Sequence, residues 1–219
     1  MKTNQELQKD VQDAIKWKPL LNAAEIGVTA KDGVITLTGT VDSYAKKLEV
    51  ENAAKNVLGV KAFAEEIIIK YSDLGEKTDT EIANDVLKTW KWKWEIPDGK
   101  IKLKVEHGWV TLEGELEWNY QREAAKEVIK NLTGVMGVNN NIKIKSETHD
   151  AIQKEDIEGA LARNSSIDDS DIQVDVAGNN VTLTGTVDSY YAKDEAEQIA
   201  WNAPGVWTVD NELFIDYEN

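Results

Sequence analysis

The chain has 219 residues, of which 41% are hydrophobic and 30% charged, with no cysteine and a net charge of −15. This composition is typical of a folded globular protein large enough for two or three compact units, and it excludes disulfides, thiolate chemistry and cysteine-ligated zinc. The acidic balance also argues against nucleic acid as a partner, because phosphates are bound by clustered lysine and arginine.

Three copies of one pattern make up the sequence. Ile35-Thr36-Leu37-Thr38-Gly39 recurs as Val110-Thr111-Leu112-Glu113-Gly114 and as Val181-Thr182-Leu183-Thr184-Gly185. The same two offsets align residues far from this string without gaps, from a leading helical stripe to a closing strand. We therefore predict three tandem modules, at residues 1–72, 73–147 and 148–219.

Each module begins with a predicted amphipathic helix. Leu7, Val11 and Ile15 are spaced by four residues, which indicates one buried helical face. Trp90 occupies the position of Ile15 in the second copy, so we predict that its ring is buried. In the third copy Gln153 takes the first position of the stripe, and we predict that this helix starts late.

Two predicted strands follow the first helix, because apolar residues then alternate with polar ones. The strands are joined by turns whose residues tolerate positive φ, as a tight hairpin requires. These turns are Lys31-Asp32-Gly33, Glu106-His107-Gly108 and Gly178-Asn179-Asn180.

A second amphipathic helix and a last strand complete each predicted module. We expect side-chain caps at the start of this helix and left-handed glycines at its end. The expected caps are Asp42, Asn119 and Asp188, and the glycines are Gly59, Gly134 and Gly205. The predicted fold class is therefore α+β: three tandem α-β-β-α-β modules, each a small mixed three-stranded sheet with two helices packed on one face.

The string V/I-T-L-x-G, followed by an amphipathic helix, Gly-Val and a closing strand, resembles the BON domain family. Gly39, Gly114 and Gly185 stand at the position of the family's characteristic glycine, and the resemblance covers nearly the whole chain. It implies a non-enzymatic binding or attachment module of bacterial osmotic or envelope stress, transport-associated and suggested to contact phospholipid surfaces. One relative, which is joined to a peptidoglycan-binding module, binds potassium.

No enzyme motif accompanies the repeat. The two histidines, His107 and His149, are not spaced as a metal-binding pair, and the sequence has no nucleophile elbow, phosphate-binding loop or dinucleotide fingerprint. We therefore expect neither catalysis nor a cofactor. The string Asp168-Asp169-Ser170-Asp171 is a weak candidate for potassium or calcium, but it lacks the spacing of a calcium loop, and we interpret it as a solvated connection.

Charge differs strongly between the copies. The net charges of the three modules are 0, −2 and −13, because residues 148–219 carry 16 acidic and only 3 basic side chains. Such an acidic surface repels anionic lipid headgroups. If lipid is bound, we expect the first two modules to bind it, with Lys46, Lys47, Lys91 and Lys93 as the available cations.

Several of the eight tryptophans are candidate binding residues. Three of them, Trp17, Trp92 and Trp94, follow the first helices, and Lys91 and Lys93 alternate with the rings of the second module. Trp201 lies off the apolar stripe of its helix. We therefore predict that Trp201 projects away from its own sheet. Amphipathic rings next to lysines suit a lipid headgroup layer. Burial in seams between modules is the alternative, and the sequence favours it.

Two classes of function follow from the sequence. The first is an attachment protein that contacts phospholipid or another surface. The second is a soluble chaperone-like or protein-interaction module, with cation binding as a further alternative. Because residues 1–6 lack an apolar signal core, we expect a cytoplasmic location, or a periplasmic one if the sequence is a truncated form of an exported protein. The oligomeric state is left open.

Overall fold

The computed structural model describes residues 2–21, 25–71, 77–145, 152–164, 167 and 171–216. It confirms the α+β fold class and the α-β-β-α-β order of the three modules. The first module contains α1 (Asn4–Lys16), β1 (Ile26–Lys31), β2 (Val34–Val41), α2 (Tyr44–Lys55) and β3 (Ala62–Ile69). The second contains α3 (Asp79–Trp90), β4 (Ile101–Glu106), β5 (Trp109–Leu116), α4 (Asn119–Lys130) and β6 (Gly137–Ile144). The third contains α5 (Lys154–Ala162), β7 (Ile172–Ala177), β8 (Asn180–Val187), α6 (Tyr190–Trp201), β9 (Thr208–Asn211) and β10 (Phe214–Ile215).

The second strand of each module is the central strand of its sheet. β5 pairs antiparallel with β4 and parallel with β6, which makes the sheet mixed, as predicted. In the third module the closing strand is divided into β9 and β10. Both pieces pair parallel with β8 in one register, since Asn180 lies opposite Thr208 and Thr186 lies opposite Phe214.

The helical stripes are buried as the spacing predicts. Leu7, Val11 and Ile15 are all buried, and Trp90 is only 8% exposed. The indole Nε1 of Trp90 donates a hydrogen bond to the backbone oxygen of Ala125, at 3.3 Å, so its one polar atom is satisfied inside the core. The late start of the third module's first helix is also confirmed, because α5 begins at Lys154.

The glycine that ends the repeated string V/I-T-L-x-G allows a close backbone approach. φ is +133° at Gly39, +153° at Gly114 and +116° at Gly185, and a Cβ on any of them would overlap the carbonyl oxygen of the residue just before the module's first strand. Only glycine has both the required φ and the required space. The glycine therefore determines how closely the first two strands meet.

The second set of glycines is left-handed, as predicted, with φ of +97°, +92° and +85° at Gly59, Gly134 and Gly205. Their place differs from the prediction, however. α2 ends at Lys55 and α4 at Lys130, so each glycine belongs to the turn that follows the helix rather than to the helix end itself.

The predicted caps Asp42, Asn119 and Asp188 are wrong. In the first and third modules the next residue caps the helix, because the hydroxyls of Ser43 and Ser189 accept hydrogen bonds from backbone amides three residues on. In the second module the side chain of Gln121 accepts a hydrogen bond from the amide of Trp118, at 3.1 Å. A hydroxyl one position later has the better geometry for the free amides.

The described chain divides into two compact units that do not follow the repeat boundaries. One unit comprises residues 1–39, 49–67 and 148–219, and the other comprises residues 40–48 and 68–147. Within the second unit, the hydroxyl of Tyr71 donates a hydrogen bond to the backbone oxygen of Val135, at 2.6 Å, and burial raises the pKa of this tyrosine. Tyr71, from the end of the first repeat, therefore packs with the second.

The first helix of the second module holds the neighbouring hairpin turn. Both carboxylate oxygens of Asp79 accept hydrogen bonds at 2.9 Å, from the backbone amides of His107 and Gly108. These bonds lower the pKa of Asp79 below its ordinary 3.8. Asn4 does the same in the first module, where its side-chain oxygen accepts a bond from the amide of Asp32, at 2.8 Å.

We expect Asp79→Asn to weaken the acid dependence of folding. A carboxyl whose pKa is lowered by folding stabilises the native state above its ordinary pKa, and this contribution is lost as the pH falls through the lower, folded value. The difference in unfolding free energy between about pH 7 and about pH 3 should therefore be smaller in the variant. Urea denaturation at both pH values measures it, with Asp98→Asn, outside this hairpin, as control. If the unfolding free energy changes between the two pH values as much in Asp79→Asn as in wild type, the hydrogen bonds from His107 and Gly108 to Asp79 do not cause the acid dependence.

Candidate binding site in the exposed tryptophan and lysine segments

The first helix of each of the first two modules is followed by a short exposed segment rich in tryptophan and lysine. We call residues 16–20 exit segment 1 and residues 91–94 exit segment 2. Their sequences are Lys-Trp-Lys-Pro-Leu and Lys-Trp-Lys-Trp.

Exit segment 2 is fixed between two buried anchors. Trp90 precedes it and Ile96 follows it, and both are buried. Between them the backbone forms successive turns, because the amide of Trp92 donates to the Thr89 oxygen (3.1 Å), that of Lys93 to the Trp90 oxygen (2.9 Å) and that of Ile96 to the Lys93 oxygen (3.1 Å). The anchored backbone leaves the rings of Trp92 and Trp94 88% and 84% exposed.

Exit segment 1 begins in the same way. The buried Ile15 precedes it, and the amide of Trp17 donates to the oxygen of Asp13, at 3.1 Å. Trp17 is 84% exposed and Leu20 is 74% exposed. Sequence reasoning missed Leu20, whose only available signal was an apolar residue next to the lysines and tryptophan of this segment.

Cationic side chains accompany the rings. Lys91 and Lys93 are exposed, and neither belongs to an ion pair found among the described residues. In exit segment 1, Lys18 is paired with Glu49 at 2.8 Å and Lys16 lies 3.6 Å from Asp13. The second segment therefore presents the freer positive charge.

The prediction that the rings of Trp17, Trp92 and Trp94 are buried is wrong, since each is exposed over more than four fifths of its surface. Contiguous exposed apolar surface commonly marks a site of interaction, and Trp92 and Trp94 stand two residues apart in one exposed segment. Because lysines alternate with the rings, this exposed surface is amphipathic rather than purely apolar. The arrangement can insert rings into an interfacial layer while lysines remain in contact with water and anions.

The predicted place of Trp201 is also wrong. Its ring is half-buried against the core of its own module, and its Nε1 donates to the carboxylate of Glu197, at 3.4 Å. Helical periodicity places the residue beside the apolar stripe, but a side chain as long as tryptophan reaches back over the edge of the core. Trp201 therefore does not belong with the exposed rings.

The third module lacks an exit segment of this kind. Leu161 and Ile167 are buried like the anchors of the second module, but Arg163 and Asn164 stand between them in place of tryptophan and lysine. The side-chain amide of Asn164 donates to the carboxylate of Glu195, at 3.1 Å, within the module. The candidate site is confined to the first two copies.

Metal binding finds no support in the described part of the chain, where no group of three or more histidine or acidic side chains could hold an ion. Of the predicted candidates, Asp168 and Asp169 lie outside the described residues, and Asp171 directly precedes β7.

Among the described residues, no helix combines the length and the apolar character needed to cross a bilayer.

These features define a tandem-repeat α+β protein with exposed aromatic and cationic loops on two of its three modules. The chain belongs to the BON domain family, whose model matches residues 3–70, 78–146 and 149–216. It is similar to osmotically-inducible protein Y of Escherichia coli strain K12, at 31% identity over 131 residues. The match covers 57% of this chain and 64% of that relative, less than two thirds of its length.

Two solved structures of CdsD, a structural protein of the type III secretion system of Chlamydia trachomatis, are also similar. The first, of its C-terminal domain, has 15% identity and a TM-score of 0.26 over 98% of this chain and 100% of that one. The second has 17% identity and a TM-score of 0.25 over 97% and 94%.

Proposed function

We propose that this chain is a non-enzymatic attachment protein of osmotic or envelope stress that binds phospholipid surfaces through its two exit segments. Membership of the BON domain family and the similarity to an osmotically inducible protein support the stress role. The exposure of Trp92 and Trp94 beside Lys91 and Lys93 is the observation that carries the lipid contact.

The energy available from the rings is sufficient for reversible binding. A tryptophan presents roughly 200 Å² of surface, and burying half of it contributes about 2.5 kcal/mol at about 25 cal/mol per Å². Each lysine near an anionic membrane adds about 1 kcal/mol. One exit segment on its own therefore gives weak, reversible attachment.

Charge favours contact through the first two modules. Residues 148–219 carry a net charge of −13, and an anionic membrane repels them. The first two modules carry net charges of only 0 and −2, and in the second module Lys91 and Lys93 are exposed beside the rings. We therefore expect the first two modules, rather than the third, to contact an anionic bilayer.

Co-sedimentation with vesicles tests this function. We expect the chain to sediment with vesicles of mixed phosphatidylglycerol and phosphatidylcholine more strongly than with phosphatidylcholine alone, and added salt should reduce the difference because it screens the lysines. Failure to bind both kinds of vesicle would exclude lipid attachment.

A protein-interaction or chaperone-like role is the second candidate, and one observation favours it. Phe214 is 74% exposed in the acidic third module, where lipid contact is not expected. Light scattering during heat aggregation of a client protein tests this role. Suppression by wild type but not by Phe214→Ala would support it, and equal scattering with and without the chain would exclude it.

A further inference from the structure

The first and third modules are joined by a small set of side chains within one compact unit. The hydroxyl of Tyr190, in the third module, donates a hydrogen bond to the backbone oxygen of Lys61, at 2.7 Å. Its ring meets that of Phe63 edge to face, with centroids 6.1 Å apart and planes at 77°. This is the favourable arrangement for two aromatic rings.

An ion pair continues the same contact. Nζ of Lys55 lies 5.5 Å from the centroid of the Phe63 ring and 3.7 Å from a carboxylate oxygen of Asp194. Lys55 therefore interacts with a ring of its own module and with a carboxylate of the third module. We call the five residues Lys55, Lys61, Phe63, Tyr190 and Asp194 the clasp.

The repeat shows that the clasp is specific to these two surfaces. Phe63 corresponds to Val138 and Val209 in the other copies, so only the first module has this acceptor ring. The position of Tyr190 holds Asn119 in the second module, whereas Tyr44 in the first is buried. At the aligned positions, the pairing of Phe63 with Tyr190 is therefore found only between the first and the third module.

The clasp between the first and third modules is also of a kind that can separate. Among the described residues it includes one hydrogen bond, one aromatic pair and an ion pair whose side chains are 27% and 57% exposed, so water screens the ionic attraction. Small polar contacts between domains of one chain resemble transient interfaces and allow the domains to separate. In addition, the two modules are not consecutive, since the whole second module separates them in the sequence.

We propose that the third module of one chain docks on the first module of a second copy through the same clasp. Each chain supplies one Tyr190–Asp194 surface and one Lys55–Phe63 surface, so two chains form a closed dimer with two identical clasps. Exchange of an identical contact between copies needs no new interface, which makes it a low-cost route to a dimer.

Charge reversal tests the exchange. In Lys55→Glu chains residue 55 repels Asp194, and in Asp194→Lys chains residue 194 repels Lys55, within one chain and in any homodimer. When the two variants are mixed, one clasp pairs the two reversed charges and the other has both native residues. We expect native mass spectrometry and light scattering after chromatography to show a heterodimer at least about 10-fold tighter than either homodimer.

The control uses an ion pair inside one helix region. Lys46 and Asp42 are 2.7 Å apart in the first module, and both control variants keep the native clasp, so mixing Lys46→Glu with Asp42→Lys should give heterodimer and homodimers of equal affinity. Adding Tyr190→Phe to both clasp variants removes one hydroxyl from each of the two clasps and should weaken their heterodimer about 5- to 150-fold. A clasp mixture that remains monomeric up to about 1 mM, the range of effective concentration within one chain, would overturn the proposal, as would an equal preference for the heterodimer in the control pair.

Discussion

Replacing Gly114 with alanine is expected to lower the unfolding free energy by about 3 kcal/mol or more. At φ +153° the added Cβ would overlap the carbonyl oxygen of Lys100, which is backbone and cannot move away as a flexible side chain would. Because Gly114 is paired with Ile101 across β4 and β5, relief of the overlap has to separate these strands. The loss should appear as a lower urea midpoint.

Gly99→Ala is the matched control for this substitution. Gly99 also has positive φ, at +73°, but a Cβ there would meet nothing within 4 Å. Its cost should be about 1 kcal/mol, the cost of the left-handed conformation alone. If Gly114→Ala and Gly99→Ala have equal urea midpoints, close backbone approach is not the reason for glycine at the end of the repeated string V/I-T-L-x-G.

Replacing Trp92 and Trp94 together by alanine is expected to weaken vesicle binding at least about 100-fold. Each ring contributes about 2.5 kcal/mol if half of its surface enters the interfacial layer. Neither ring belongs to the core, so the urea midpoint should remain near that of wild type. Vesicle titration measures the affinity, and denaturation shows that the variant is folded.

The control for aromatic exposure is Phe214→Ala. Phe214 is as exposed as Leu20, but it lies in the third module, where the charge is unfavourable to anionic lipid. We expect unchanged vesicle affinity. A loss as large as that of the double variant would mean that any exposed ring serves and that the exit segments are not the site.

The sequence predicts the modules well because their determinants are local. A stripe such as Leu7, Val11 and Ile15 specifies a helix face, and the register of the three copies transfers the burial of Ile15 to Trp90. The positive φ of the second set of glycines was also predictable. The helix caps were not, because Asp42 and Ser43 are adjacent and equally able to cap, and only the backbone geometry selects the serine.

The candidate site was predictable in part. The alternation of tryptophan and lysine identifies residues 91–94, but a pattern cannot show whether another part of the chain covers them, and burial was the wrong expectation for Trp92 and Trp94. The prediction that Trp201 projects away from its sheet was wrong because its long side chain reaches back to the core of its own module. The clasp has no sequence signal, because its partners are far apart in the chain and belong to non-consecutive copies.

Contact between the exit segments and lipid is tested most directly by tryptophan fluorescence with vesicles whose acyl chains carry a bromine quencher. In wild type we expect quenching and a shift to shorter wavelength, because Trp17, Trp92 and Trp94 leave water for the interfacial layer. A variant with phenylalanine at these three positions should still bind, while its remaining tryptophans are not quenched. Equal quenching in the variant and in wild type, or none in wild type that is bound to the vesicles, would contradict lipid contact through the exit segments.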